Sequence, residues 1–309
     1  MPPATYFDLQ VNGYAGVDFN DQDLTLESVS RACERLRADG VAGVLATVIT
    51  ASLDHMTSCL ARIVELRQQD KFVEDMIAGF HIEGPFLSRE VGYVGAHPPQ
   101  HVMPAQADAM KRLLESAGGL TKLVTLAPEH DEDFGVTRLL ARQGIAVSAG
   151  HTDASLETLR GAIDAGVTMF THLGNGCPVT MHRHDNIVQR VLALADRLWV
   201  MFIADGAHIP FYALQNYLRL VGIERAIVVT DAIAAAGMGP GRFNIGGVEA
   251  LVGEDLVPRT VHNPQQFAGS GLTMPRAEAN LREYLQLDQA QIRRLCCENP
   301  RQAIAIAAA

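Results

Sequence analysis

A few short strings in this chain carry the residue types of a hydrolytic metal site. His81-Ile82-Glu83-Gly84-Pro85 ends on a carboxylate. Ala149-Gly150-His151-Thr152 and Thr171-His172-Leu173 each present an imidazole, and Thr230-Asp231-Ala232 presents a second carboxylate. One carboxylate with two imidazoles suits a borderline divalent metal. Three protein ligands plus a water is the open arrangement of catalytic zinc. Such a metal lowers the pKa of its water to about 7. A nearby carboxylate can take a proton from that water and hand it to a leaving nitrogen, which an amide requires because an unprotonated amine leaves poorly. The expectation is metal-dependent amide hydrolysis, with Glu83, His151 and His172 on one divalent metal and Asp231 as the catalytic acid/base. Each residue alone has a plainer reading. A strand-end histidine can be a structural hydrogen bonder, Glu83 a turn residue before Gly-Pro, and Asp231 a helix cap. Their joint occurrence at several strand ends favours function.

Those residues must converge, and the chain supplies elements for it. Eight strand-like runs are legible: TYFDLQVNG, VAGVLATVIT, MIAGFHIEGP, KLVTLAPE, IAVSAGHT, VTMFTHLGN, LWVMFIADG and AIVVTDAI. Amphipathic stretches such as LESVSRACERLRADG, ADAMKRLLESAGG and SLETLRGAIDAG lie between them, the first placing Val29, Cys33 and Leu36 on one face. Gly40 and Gly166 stand where C-terminal caps belong. Strand–helix alternation repeated eight times predicts an α/β (β/α)8 barrel. An open doubly wound sheet is the rival, but QVNGYAGVDF is no G-x-G-x-x-G and no phosphate loop occurs. Barrel active sites form at the C-terminal strand ends, where the polar residues fall. Alternation puts His81 and Glu83 on one face of their strand. The Gly- and Pro-rich stretch 234–271 is expected as loops and short strands over the barrel mouth, and a helical tail begins near Leu272. The expectation is one barrel domain over 1–309.

Composition narrows the class of partner. The formal charge is -10, with no basic runs, which argues against nucleic acid or an anionic membrane. Hydrophobic residues make up 48% and charged residues 19%, so a large core is available. No apolar run is long enough to suggest a membrane span. MPPATYFDLQ shows no secretory pattern, and the five cysteines include no C-x-x-C pair. A cytoplasmic protein with reduced thiols is expected.

Beyond these single strings, the set DLQVNGYAGVDFND, GFHIEGPFL, GAHPPQHV, LAPE, VSAGHTDASL, THLGNGCP, HRHDN, ADGAHI, VVTDAI and AGSGLTM resembles, in order, the N-acetylglucosamine-6-phosphate deacetylase family of the amidohydrolase superfamily. The resemblance covers nearly the whole chain. It implies hydrolysis of the acetamide of N-acetylglucosamine 6-phosphate, or a close N-acetyl amino-sugar phosphate, to the amino sugar and acetate. It implies the same ligands, Glu83, His151 and His172, and the same acid/base, Asp231. It further implies that His97 contacts the acetamido group, that His208, Asn175 and Gly176 contact the substrate, and that Arg183 meets the phosphate. A planar guanidinium suits phosphate through bidentate charge-assisted bonds. A homodimer follows by the same analogy. Zinc is the expected metal, with iron, cobalt and manganese compatible with the same donors.

Three features modify that expectation. Where many amidohydrolases carry H-x-H on the first strand, this chain has Gln10 and Asn12. Neutral amides are poor zinc ligands, so one metal is expected; the plainer reading has both amides bonding backbone groups at the barrel floor. The small β-sandwich usual in the family is not legible, so a barrel alone is expected. In LGNGCPVTMHRHDN, Asp185 stands near Arg183 and could pair with it, weakening phosphate recognition. His182, Arg183 and His184 read as a polar loop rather than a metal cluster. Ser270 lacks a nucleophile-elbow context and reads as a loop contact near the substrate. Two other functions stay open: deacetylation of an unphosphorylated or different small N-acyl substrate, and a catalytically silent binding subunit.

Overall fold

Eight parallel strands follow one another in chain order around a barrel in the computed structural model, which describes residues 5–306. They are β1 (Tyr6–Val11), β2 (Val41–Ile49), β3 (Ile77–Glu83), β4 (Thr121–Leu126), β5 (Ala146–Ala149), β6 (Val167–Phe170), β7 (Trp199–Ile203) and β8 (Ala226–Val229). All eight match runs read from the sequence. Their residues are buried almost throughout, as expected for parallel strands covered on both sides. The seam between β8 and β1 closes by different means. Asn12 N donates to Ala232 O at 2.7 Å, and the Asp8 carboxylate accepts from Thr230 Oγ1 at 2.6 Å.

Helices form the outer layer because they carry an apolar face, and several begin at a polar cap. Leu26–Ala38 buries Val29, Ala32, Cys33 and Leu36, and Thr25 and Ser28 form its capping box. Gly40 follows with φ +82°, the left-handed backbone that a helix terminus favours in glycine. Leu156–Ala165 is capped by Ser155 and stops at Gly166.

The stretch after β8 is more ordered than its glycine and proline content suggests. β9 (Gly241–Ile245), β10 (Val248–Val252) and β11 (Pro258–Thr260) make an antiparallel sheet. Gly246 and Gly247 join β9 to β10 with φ +52° and +85°, the pair of positive angles of a two-residue hairpin. Ile245, Ala250 and Val252 pack with Ile49, Ile233 and Ala268 as a small core beside the barrel mouth. The helical tail begins at Met274. Among the described residues no helix is long and apolar enough to cross a membrane.

Register sets the level of the site. Glu83 pairs with Thr125, Leu126 with Ala149, and Ala149 with Phe170. Residues just past β5 and β6 therefore arrive at the height of Glu83.

Candidate active site

Glu83 ends β3, and its Oε1 is the centre of the cluster. His172 Nε2 lies 2.9 Å from it and His151 Nε2 3.3 Å. His97 Nε2 is 3.2 Å from His151 Nε2. All four side chains are buried. Glu83, His97 and His151 offer ligand atoms that all lie within 4.8 Å of one another, so the tightest triad contains His97, with His172 on the other flank of the same carboxylate.

The donor set fits a divalent cation. His151 Nδ1 lies 2.8 Å from Tyr93 O, which can only accept, so Nδ1 carries the proton. In the neutral ring, Nε2 then turns a lone pair toward the carboxylate oxygen. Two acceptors in contact repel, and a cation between them removes the conflict. A ligating histidine whose other nitrogen donates to a backbone carbonyl is the usual outer support of such sites.

The first-strand amides have a role the sequence did not reveal. Gln10 Nε2 donates to Glu83 Oε1 at 3.2 Å, and Asn12 Nδ2 donates to Asp231 Oδ1 at 2.7 Å. Neither side chain bonds the barrel floor, as the plainer reading had it; each holds one of the two carboxylates. Below them His81, on the inner face, accepts from Thr125 Oγ1 at 2.7 Å and faces Leu9 O at 3.1 Å.

Burial sets the protonation of the cluster. It opposes a charged Glu83, but protonated imidazoles at His151 and His172 would outweigh it and hold the carboxyl well below its ordinary value. Burial also opposes a charged His172, and its hydrogen bond to Glu83 reverses the sign. Burial, then the Glu83 charge, pushes Asp231 up to about 6. Burial, then His151, pushes His97 down to about 3, leaving its ring neutral. A raised carboxylate beside a low one is the separation that acid/base work uses.

Backbone conformation singles out the same positions. His151, His172 and Asp231 each follow their strand with positive φ, at +51°, +32° and +51°. Side chains other than glycine rarely adopt that region, and such strain concentrates at functional sites. Nothing in the local sequence announces it.

Other expected residues distribute unevenly. Asn175 lines the cavity with Glu83, His97, His151, His172 and Asp231, beneath an apolar rim of Ile49, Ile245 and Phe267. Gly176 backs the His151 ring: a Cβ there would lie 2.9 Å from Nδ1. His208 is buried behind Phe267, ring centroids 4.7 Å apart. Ser270 is buried, its hydroxyl donating to Thr230 O; its neighbour Gly269 lines the cavity instead. Arg183 stands on an exposed loop away from the cavity lining. The pairing expected between Asp185 and Arg183 does not form. Asp185 bonds Arg190 at 2.6 Å, because Arg190 starts a helical turn away on Ile187–Leu192 and points back along the loop. The cavity measures about 40 Å³, and Gln266 reaches Gly95 O across its mouth.

No family model matches the chain. Individual proteins do. The chain is 31% identical over 302 residues to the N-acetylglucosamine-6-phosphate deacetylase of Bacillus subtilis, covering 97% of this chain and 74% of that protein. It is 29% identical to the N-acetylgalactosamine-6-phosphate deacetylase of Escherichia coli O157:H7, covering 97% and 77%. A solved structure of a Mycobacterium smegmatis N-acetyl-D-glucosamine-6-phosphate deacetylase variant, in complex with N-acetyl-D-glucosamine 6-phosphate, superposes with TM-score 0.88 at 28% identity, covering 98% and 77%. With relatives at this identity covered over nearly the whole of this chain and about three quarters of their own length, the chain belongs to the N-acetylglucosamine-6-phosphate deacetylase family.

Proposed function

We propose that this chain hydrolyses the acetamide of an N-acetyl amino-sugar 6-phosphate, N-acetylglucosamine 6-phosphate first among them, to the amino sugar and acetate. The observation that carries this is the buried Glu83–His151–His172 cluster beside Asp231, on a chain whose relatives are deacetylases of such sugars. Glu83, His151 and His172 would hold one divalent metal, zinc by donor chemistry. Bound there, the metal supplies Lewis acidity and makes water acidic enough to attack near neutral pH.

The chain's own residues do the rest. Asp231 takes the proton of the attacking water and delivers it to the amide nitrogen as the C–N bond breaks. Asn12 holds Asp231 Oδ1, which leaves Oδ2 for the proton. His97, neutral, donates to the acetamide oxygen as charge develops there. The three positive-φ positions support the choice of His172 over His97 as third ligand, since His97 has no such backbone. The rim of Ile49, Ile245 and Phe267 keeps bulk water from the reacting atoms.

Arg183 is assigned to the phosphate, supplied by a neighbouring copy in a homodimer; its exposed position on the loop supports that assignment. The five unpaired cysteines support a reducing compartment such as the cytoplasm. One observation favours a second reading, a substrate without the phosphate: neither Arg183 nor any other arginine or lysine is among the residues that line the cavity. Acetate release decides between them. N-acetylhexosamines with and without a 6-phosphate, including the galacto epimer, are assayed on protein of measured metal content. No acetate from any phosphorylated sugar by metal-loaded protein sinks the proposal.

A further inference from the structure

Asp231 differs from the other strand-end residues in what holds it at its height. Glu83 ends a strand paired on both sides, to β2 and to β4. His151 and His172 follow strands that are also paired on both sides. Asp231 follows β8, which pairs with β7 through Val229 opposite Ile203. Toward β1 no ladder forms among the described residues, and a single bridge joins Val11 to Ala232. Asp231 also carries the left-handed backbone, φ +51°. Such a conformation persists only where the surroundings over-determine it.

Asp8 supplies much of that determination. It stands on β1 at the open seam and is 1% exposed. Its Oδ2 accepts from Thr230 Oγ1 at 2.6 Å, and its Oδ1 accepts from Thr230 N and Gln10 N, both at 3.2 Å. With its proton given to Asp8, the Thr230 hydroxyl is free to accept from Ala232 N, 3.1 Å away. From the other side Ser270 N donates to Asp231 O at 2.8 Å, and the Ser270 hydroxyl donates to Thr230 O. Both neighbours of Asp231 are thus tied, one of them directly to Asp8. Burial pushes the Asp8 carboxyl up to about 7, and its Thr230 and Gln10 donors work against that rise. A buried carboxylate is a costly way to close a seam. What it supplies that an apolar side chain cannot is two oxygens that take the N–H and the O–H of one residue together, which holds Thr230 in one rotamer.

We propose that Asp8 is a positioning residue for the reaction: through the Thr230 hydroxyl it fixes the turn that presents the Asp231 carboxylate to Asn12 and to the cavity. That Asp231 is the acid/base rests on the deacetylase reading, whereas its placement by Asp8 does not. Thr230→Val isolates the link, because it keeps the branched shape and removes only the hydroxyl. Thr230→Ser returns the hydroxyl without the methyl.

The test is run on metal-loaded protein, at a pH well above the Asp8 value so that the carboxylate is ionised. In Thr230→Val, kcat for acetate release from N-acetylglucosamine 6-phosphate should fall about 10- to 100-fold, the effect of displacing a reacting group by up to roughly an ångström. KM and metal content should not change. Thr230→Ser should recover most of the loss. A crystal structure of Thr230→Val should show Asp231 Oδ1 withdrawn from its 2.7 Å contact with Asn12 Nδ2. A staple that only supported the fold would lower Tm and leave both kcat and that contact alone, which overturns the proposal. A loss of kcat that Thr230→Ser does not recover also overturns it. If Thr230→Val does not fold, Asp8→Asn decides. Its remaining oxygen still accepts from Thr230 N and Gln10 N, but its amide turns a donor on Oγ1, and kcat should fall about 10-fold at constant KM. Wild-type kcat in that variant overturns the proposal. A wild type that releases no acetate, with Asp231 displaced in the Thr230→Val structure, fails the deacetylase reading and supports the positioning role.

Discussion

The strand ends and the loop 174–186 offer two opposite ways to place a functional side chain. Glu83, His151, His172 and Asp231 are at most 5% exposed, and each sits at or just past a strand whose neighbours fix its height. Gln10 and Asn12 grip the two carboxylates from β1, and Tyr93 O orients His151. The loop is different. Its segment 179–185 is largely exposed, with Val179 fully so, and it is shaped mostly by its own polar residues. His182 Nδ1 accepts from Asp185 N at 2.9 Å, Asp185 bonds Arg190, and Asn186 caps the following helix. Chemistry needs atoms held within fractions of an ångström, which packed strands supply. Recognition of a substrate's outer groups can vary on a loop without disturbing that framework.

Five substitutions probe this division, beginning with the largest effect. Asp231→Asn should lower kcat about 10²- to 10⁴-fold, the span of a lost acid/base, while metal content measured by elemental analysis stays the same. Activity surviving at wild-type level would remove the strand ends from the chemistry altogether. Replacing His172 by alanine should weaken metal binding by more than the roughly 10- to 100-fold that losing an outer support costs. His97→Ala should keep the metal. Equilibrium dialysis separates the two, and the reverse pattern would make His97 the third ligand.

On the loop, Arg183→Ala should raise KM for phosphorylated sugars about 10-fold or more, the value of a charge-assisted contact, with little change in kcat. An equal loss on unphosphorylated sugars would mean that the loop serves folding rather than recognition. Gln10→Ala is the smallest change. Losing one neutral donor to Glu83 should cost about 10-fold in metal affinity, the low end for an outer support. If it costs nothing, the strand-end carboxylates are held by packing alone.

Much of this site could be read along the chain because its signals are local. Strand runs end in Gly or polar residues, helices carry capping serines and threonines, and Glu83, His151, His172 and Asp231 each sit inside a short distinctive string. The partners of those residues could not be read that way. Gln10 meets Glu83 across 73 residues and Asn12 meets Asp231 across 219. An amide side chain looks the same in sequence whether it bonds backbone or a carboxylate. Asp205 and His208 are only three apart, yet their pairing depends on the turn after β7 and on Phe267 closing over the ring. The short strands of 241–260 are expected from the sequence, but their pairing into one antiparallel sheet is not, since the glycines obscure the alternation that β9 and β10 show once paired.

The sequence by itself determined the barrel, the four residues at its strand ends and the absence of a histidine pair on β1, because periodicity and residue type are local properties. Tertiary structure alone decided which atoms face one another. It turned Gln10 and Asn12 from absent ligands into donors, paired Asp185 with Arg190, and set His97 as close to His151 as Glu83 is. The physical reason is that hydrogen-bond partners and positive-φ backbone at His151, His172 and Asp231 come from strand register and barrel closure, which bring together segments that no short window of sequence contains.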